Sequence, residues 1–245
     1  VIIIVPTRSR PQNVLPMVAA FDETGAFADG VELYFVADRD DPAFDAYAVA
    51  VHDASLITGN ARRVVTLLDA HRHEQLVPKL NKAAHYLLIT RHPKHIGFMG
   101  DDHRPHTAGW ARMYREALDR LGTGIVSCPD GYRPDDLPTQ WAMTADIVEA
   151  LRGRMVPAPV EHLYCDDAIR DLAKAADCYR YLDDCLIEHV HPVAGKTETD
   201  EQYERVNSRD QYRRDRPSYR TWKRDGGLAD DVQAVVNLRT RKGTP

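Results

Sequence analysis

The sequence predicts an α/β fold, a mostly parallel central sheet flanked by helices, and two observations carry that prediction. Over the first hundred residues, short β-branched runs alternate with apolar residues at helical spacing, the pattern of strands joined by crossover helices. Chemically distinctive clusters follow directly after three of those strands, at the edge where open α/β sheets bind ligands. At 245 residues the chain can bury a full core. We read residues 1–195 as one domain and residues 196–245 as a basic, aromatic C-terminal segment, expected to act as a lid over a ligand site or as an acceptor contact.

The elements follow in order. Val1 to Val5 reads as a buried strand; it is too short for the apolar region of a signal peptide and lacks a basic start and a cleavage site, so secretion is not indicated. Val14, Met17, Val18 and Phe21 share one face of a helix, Val31 to Ala37 forms the second strand, and residues 64–68 form another. Leu80 to Leu88 reads as a helix, and Ile96 to Met99 as a strand running into Gly100-Asp101-Asp102-His103. Trp110, Met113, Tyr114, Ala117, Leu118 and Leu121 repeat at helical spacing up to Gly122. A strand at Gly124 to Cys128, a Pro- and Gly-rich loop at 129–138, a strand near Trp141 and a helix from Ala145 to Leu151 come next. A helix at about Asp167 to Ala176 and strands at Tyr179 to Leu182 and Cys185 to His189 complete the domain. Beyond Gly195 the chain is polar and weakly periodic, so irregular structure that orders on ligand binding is expected.

Composition bounds the function. With 43% hydrophobic and 28% charged residues and no apolar run near the roughly 18 residues of a membrane span, a soluble, cytoplasmic protein is expected. Cys128, Cys165, Cys178 and Cys185 form no Cys-x-x-Cys pair, which argues for reduced, structural thiols over a zinc knuckle or a disulfide scaffold. The net charge of −5 offers no global attraction to nucleic acid. Residues 203–224 nevertheless carry eight Lys or Arg against three acids, with Tyr203, Tyr212, Tyr219 and Trp222 interleaved. That mixture suits phosphates and stacked rings, and equally a solvated, salt-bridged tail.

Three strand ends offer complementary chemistry. Two acids and a histidine at Asp101-Asp102-His103 suit Mn²⁺ or Mg²⁺, although acidic turns also cap helices. Pro6-Thr7-Arg8-Ser9-Arg10-Pro11 offers backbone N–H groups and two arginines to a diphosphate. In Asp38-Arg39-Asp40-Asp41-Pro42 a carboxylate is placed to hydrogen-bond a nucleobase or ribose.

In this order the segments IIIVPTRSRP, VADRDDP, VPKLNKAAHYLL, HIGFMGDDHRP, LYCDDAIRDLA and IEHVHPVAGK resemble the GT-A glycosyltransferases, especially family 2-like members, including short ones from bacteriophage genomes. The resemblance covers roughly residues 1–200 and implies a GT-A fold. It also implies metal-dependent, inverting transfer of a sugar from a UDP- or GDP-sugar to an acceptor hydroxyl on a glycan, a protein or modified DNA. The family's acidic element is Asp-X-Asp, and here His103 stands at its last position. The resemblance therefore assigns the cation to Asp101 and His103, with His191, preferred over His189 on the same side of a strand, completing its shell. Asp102 then faces the donor's ribose or sugar; Pro6, Thr7, Arg8 and Arg10 face its phosphates; Asp38 and Asp40 face base or ribose; Lys79 and Asn81 approach it from the next segment. Asp166-Asp167 aligns with the pair that supplies the catalytic base, Asp166 as base and Asp167 as helix cap. Trp141 offers a flat face to an acceptor sugar, or packs in the core. The rival readings are a nucleotidyltransferase, which would want a glycine-rich loop that Pro6 to Pro11 lacks, and a non-catalytic nucleic-acid or carbohydrate-binding protein. A metal hydrolase is weakest, since no His-Glu-x-x-His occurs.

Overall fold

Strand β1 (Ile2–Thr7) lies at the middle of the molecule with all six residues buried. A computed structural model describes residues 1–58, 64–70, 74–133, 136–190, 195–196 and 198–243. In it β1 pairs in parallel with β2 (Glu32–Asp38) on one side and β4 (His95–Phe98) on the other, and β3 (Val65–Ala70) extends the parallel edge beyond β2. Beyond β4 the sheet turns mixed: β7 (Trp141–Thr144) is antiparallel to β4, β6 (Ile125–Ser127) antiparallel to β7, and β8 (Tyr179–Tyr181) parallel to β6. The order is β3-β2-β1-β4-β7-β6-β8. A separate two-stranded ribbon pairs β5 (His103–Pro105) with β9 (Ile187–His189), placing His103 opposite His189.

Strand alternation splits the core into two layers. Ile3, Val5, Leu33 and Phe35 face α1 (Val14–Glu23), α2 (Phe44–Ile57) and α4 (Trp110–Leu121), while Ile2, Ile4, Tyr34 and Val36 face α3 (Leu76–Arg91), α5 (Ala145–Ala150) and α6 (Cys165–Ala175). Each aliphatic side chain fully buried in this way contributes about 1.5–3 kcal/mol. Gly97 lets the strands close at the centre, since a Cβ there would sit 2.7 Å from Ile3 Cδ1 and 2.8 Å from the Trp141 carbonyl oxygen.

Two expectations are corrected and one helix is added. The segment after Gly195 is not irregular: it forms α7 (Glu201–Val206), α8 (Arg209–Arg224) and α9 (Gly227–Lys242), with α9 packed on α5 and α6. Its periodicity is concealed because buried positions are polar. Asp215 of α8, almost wholly buried, accepts hydrogen bonds from the backbone N–H groups of Glu161, His162 and Leu163 at 2.7, 3.0 and 2.8 Å, and from Gln211. Trp222 Nε1 donates to Asp231. Trp141 has no exposed surface and packs on Phe98 with ring centroids 4.5 Å apart, so it is core and offers no face to an acceptor. Helix α2 was not foreseen; exposed Val49 and Leu56 blur its amphipathic pattern. All four cysteines are buried and free. No helix among the described residues is long and apolar enough to cross a membrane.

Candidate functional site

A cleft of about 430 Å³ opens at the C-terminal ends of β1 and β4. Its floor is the β1 loop and the turn at Gly100 to His103, one wall is the start of α6, and α7 supplies part of its rim. In the β1 loop, Arg8 binds Asp38 at 2.9 Å and Asp40 at 3.1 Å. The buried ammonium of Lys79 binds Asp38 at 2.8 Å and the Thr7 carbonyl at 3.4 Å. Burial lowers the Lys79 pKa while Asp38 supports its charge. Asp38 thus sits between two cations, and its first role is to hold Arg8 and Lys79 at the cleft. Arg10 binds Asp200 through two 2.6 Å hydrogen bonds and approaches Asp101 at 3.5 Å and Asp102 at 4.0 Å. Asn81 lies elsewhere: its oxygen accepts from the N–H groups of Met155 and Val156 at 2.8 Å each and its nitrogen donates to the Val156 carbonyl, so it staples that segment to α3 and does not line the cleft.

The adjacent acids Asp101 and Asp102 have different surroundings. Asp101 is buried and accepts from Thr7 Oγ1 at 2.5 Å and Asn13 Nδ2 at 3.3 Å. Burial, aided by the charge of Asp102, pushes its carboxyl up to about 6. Asp102 instead faces two imidazoles, with His103 Nδ1 at 3.4 Å and His189 Nε2 at 3.3 Å. The two rings stack with centroids 4.4 Å apart and planes 16° apart. Burial opposes the charge of Asp102, but His189 and His103 together hold its carboxylate well below the usual range. Burial also lowers His189, and Asp102, Asp130 and Asp166 more than offset it.

Among the described residues, a possible ligand atom from each of Asp102, His103 and His189 lies within 4.8 Å of the others. The buried His103 Nε2 has no hydrogen-bond partner there. One carboxylate and two imidazoles suit a divalent transition ion better than Mg²⁺. Among the described residues the cluster is Asp102, His103 and His189, while the oxygens of Asp101, placed in the cation set from sequence, are taken by Thr7, Asn13 and Arg10. His191 lies outside the described residues. The useful signal was strand register, since antiparallel β5 and β9 set His103 opposite His189.

Asp166 and Asp167 occupy the first turn of α6. Tyr164, at φ 65°, holds the N-cap position with no side-chain cap bond, so Asp167 is not the cap; it binds Arg170 at 2.7 Å. Asp166 accepts a 3.2 Å hydrogen bond from Cys165 Sγ, and burial pushes its carboxyl up to about 6. A carboxyl group with this pKa, in a cleft and not ion-paired to a cation among the described residues, is suited to take a proton near neutral pH. Tyr132 and Arg133 also line the cleft and were not assigned to it from sequence, and Tyr203, Arg205 and Tyr212 of the C-terminal segment line it too. Tyr132 and Arg133 come from the loop between β6 and β7, Tyr203 and Arg205 from α7, and Tyr212 from α8.

No family profile matches the sequence, and no curated protein is similar to it by sequence. Solved structures do share its fold. A mannosyltransferase, PcManGT from Pyrobaculum calidifontis, in complex with GDP-Man and Mn²⁺, superposes with a TM-score of 0.58 at 15% identity over 98% of this chain and 74% of that one. Residues 1–349 of S. aureus TarS superpose with a TM-score of 0.56 at 9% identity, over 99% of this chain and 91% of that one. The TarS complex with UDP gives 0.57 at 10% identity, over 76% of this chain and 58% of that one. The chain therefore has a mixed α/β fold with a mainly parallel sheet, matching GT-A glycosyltransferases. At these identities the likeness is one of fold.

Proposed function

We propose that this chain is a nucleotide-sugar-dependent glycosyltransferase that moves a sugar, with inversion, onto an acceptor hydroxyl. The observation that carries the reading is the meeting, in one cleft, of Arg8 and Lys79 from the β1 side, the Asp102, His103 and His189 cluster, and Asp166. The donors bound by the fold's relatives, GDP-Man in PcManGT and UDP or UDP-GlcNAc in TarS, make a UDP- or GDP-sugar the expected substrate class here.

Asp102, His103 and His189 would hold a divalent cation, and the two imidazoles favour Mn²⁺ over Mg²⁺. Once bound, the cation would neutralise charge on the donor's diphosphate. Arg8 and Lys79, fixed by Asp38, bind the same phosphates through charge-assisted hydrogen bonds. Asp166 accepts the proton of the acceptor hydroxyl as that oxygen bonds to the anomeric carbon and the nucleoside diphosphate leaves. Tyr203 and Tyr212 narrow the rim against water, which would otherwise hydrolyse the donor.

Thermal-shift titration of UDP- and GDP-sugars with and without Mn²⁺ tests this. The expected result is stabilisation by one nucleotide class that needs Mn²⁺, and loss of that Mn²⁺-dependent stabilisation in Asp102→Ala and His189→Ala proteins. Stabilisation by nucleoside triphosphates alone would point to nucleotidyl transfer, and variants that keep full metal-dependent binding and transfer would sink the cluster's role.

A further inference from the structure

Helix α8 carries a feature that sugar transfer leaves unused. Arg209, Arg213, Arg216, Arg220 and Arg224 are all exposed and follow one another at intervals of three or four residues. At about 100° per residue they fall within about 80° of arc, a single ridge about 22 Å long. The opposite face is the buried one, formed by Gln211, Asp215 and Trp222. Seven basic and two acidic residues give α8 a net charge of +5, within a chain whose net charge is −5.

A salt-bridged, solvated surface accounts poorly for this ridge. Basic residues of α8 beside the ridge are paired with the body of the protein: Arg214 binds Glu161 at 2.9 Å and Lys223 binds Asp171 at 2.7 Å. On the ridge, Arg213 binds Asp210 within the helix and Arg224 bonds only the Arg220 carbonyl. Arg209, Arg216 and Arg220 have no acidic partner among the described residues. Like charges at this spacing repel and weaken the helix, a cost that mixed charges would avoid while keeping the surface soluble. The acids elsewhere in the chain do not cancel the ridge, because at physiological salt they are screened beyond about 8 Å.

The choice of residue and the position of the ridge indicate its partner. All five side chains are arginine, whose planar guanidinium binds phosphate through paired hydrogen bonds. Helix α8 has no Leu, Ile, Val, Met or Phe to enter a lipid surface, and its Trp222 is buried. The ridge begins beside the cleft: Tyr212, 45% exposed and next to Arg213, lines it, as do Tyr203 and Tyr132. A row of arginines leading to tyrosine rings is the chemistry of a strand with charged phosphates and unpaired bases. We propose that the α8 ridge is a docking track for single-stranded nucleic acid, holding its phosphodiester backbone and directing it to the cleft mouth. That the docked strand also carries the acceptor hydroxyl rests on the function proposed above; the docking itself does not.

The test is fluorescence anisotropy of a labelled oligothymidylate of about 20 nucleotides, titrated with full-length protein at several salt concentrations. Wild type should bind, with affinity falling as salt rises. Combined Arg209→Gln, Arg213→Gln, Arg216→Gln and Arg220→Gln should weaken binding at least about tenfold and reduce the slope of log K against log salt by about 0.7 per arginine that contacted phosphate. Nucleotide-induced thermal shifts should be unchanged in this variant, since none of the four lines the cleft. If it fails to fold, the double variant Arg216→Gln, Arg220→Gln should show about half the change in slope. Tyr212→Ala should lower affinity about fivefold or more without altering the slope. Asp166→Asn should bind like wild type, so a failure of the transferase reading and a failure of docking are told apart. No oligonucleotide binding at low salt, equal binding by the arginine variants, tighter binding of duplex than single strand, or binding to phosphatidylserine vesicles in place of the oligonucleotide would each overturn the proposal.

Discussion

The body up to β9 and the helical tail from α7 onward are held together by different forces, although both line the same cleft. In the body, two apolar layers sandwich the sheet, and the candidate site groups lie on short segments where strands end and near the starts of α3 and α6. In the tail, apolar anchors such as Trp222 and Val235 are few, and hydrogen-bonded acids occupy buried positions: Asp215 on three backbone N–H groups, and Asp231 between Arg154 and Trp222. Apolar burial is tolerant of pH and salt, whereas a tail docked through carboxylates is sensitive to both. The proposed catalytic groups therefore sit on the robust part and the rim on the part that solution conditions can loosen.

The sharpest way to break this contrast is at the body's candidate base. Asp166→Asn should lower transfer by about 10²- to 10⁴-fold, the usual contribution of a general base, and leave nucleotide binding in place. Asp167→Asn should cost far less, since that carboxylate is bound to Arg170. The pH profile adds a second check. With its carboxyl pushed up to about 6 by burial, Asp166 is protonated and inactive at lower pH, so transfer rises as pH increases through about 6. Stability moves the opposite way. A carboxyl raised above its ordinary 3.8 in the folded protein favours folding below that value, and this contribution is lost as pH rises through about 6. Asp166→Asn should remove both dependences; an Asn protein with the wild-type rate would mean that the base lies elsewhere.

Next in size is the tail's own anchor. Asp215→Ala leaves three N–H groups at 161–163 without their acceptor, a cost of about 3 kcal/mol in stability if water satisfies them only partly. Because those bonds join α8 to the wall of the cleft, the loss should appear as an early transition, with limited proteolysis cutting in the tail before the body. A single cooperative melt shifted as a whole would show that body and tail are one folding unit and remove the contrast drawn above.

The same division explains what was legible in the sequence. Strand β1, the GDDH turn and the amphipathic α4 could be read because apolar periodicity and local motifs survive in single segments. The fold class followed, and the solved relatives share it. The different surroundings of Asp101 and Asp102 were not readable, because they depend on Thr7 and Asn13 reaching Asp101 from distant segments and on the ribbon bringing His189 to Asp102. Trp141 was left open between platform and core since a tryptophan after a flexible loop has the same sequence signature whether it faces a ligand or fills a core. Helices α7 to α9 were missed because a periodicity search scores Gln211, Asp215 and Asp231 as exposed, and here they are buried.

The smallest predicted effect concerns the point where the two regions hold each other. Arg10 of the body binds Asp200, the residue that caps α7 by accepting from the Tyr203 N–H at 2.7 Å. A guanidinium held by a carboxylate is not free for a diphosphate, so the donor must compete with Asp200 for Arg10. Asp200→Asn separates the two roles, because asparagine caps a helix about as well as aspartate while lacking the charge. A half-exposed ion pair is worth up to about 1 kcal/mol, so nucleoside diphosphate affinity should rise by about two- to fivefold, measured by titration calorimetry, with α7 still capped. A fall in affinity would give the opposite answer, that Asp200 orients Arg10 for the phosphates and the tail completes the donor site instead of competing for it.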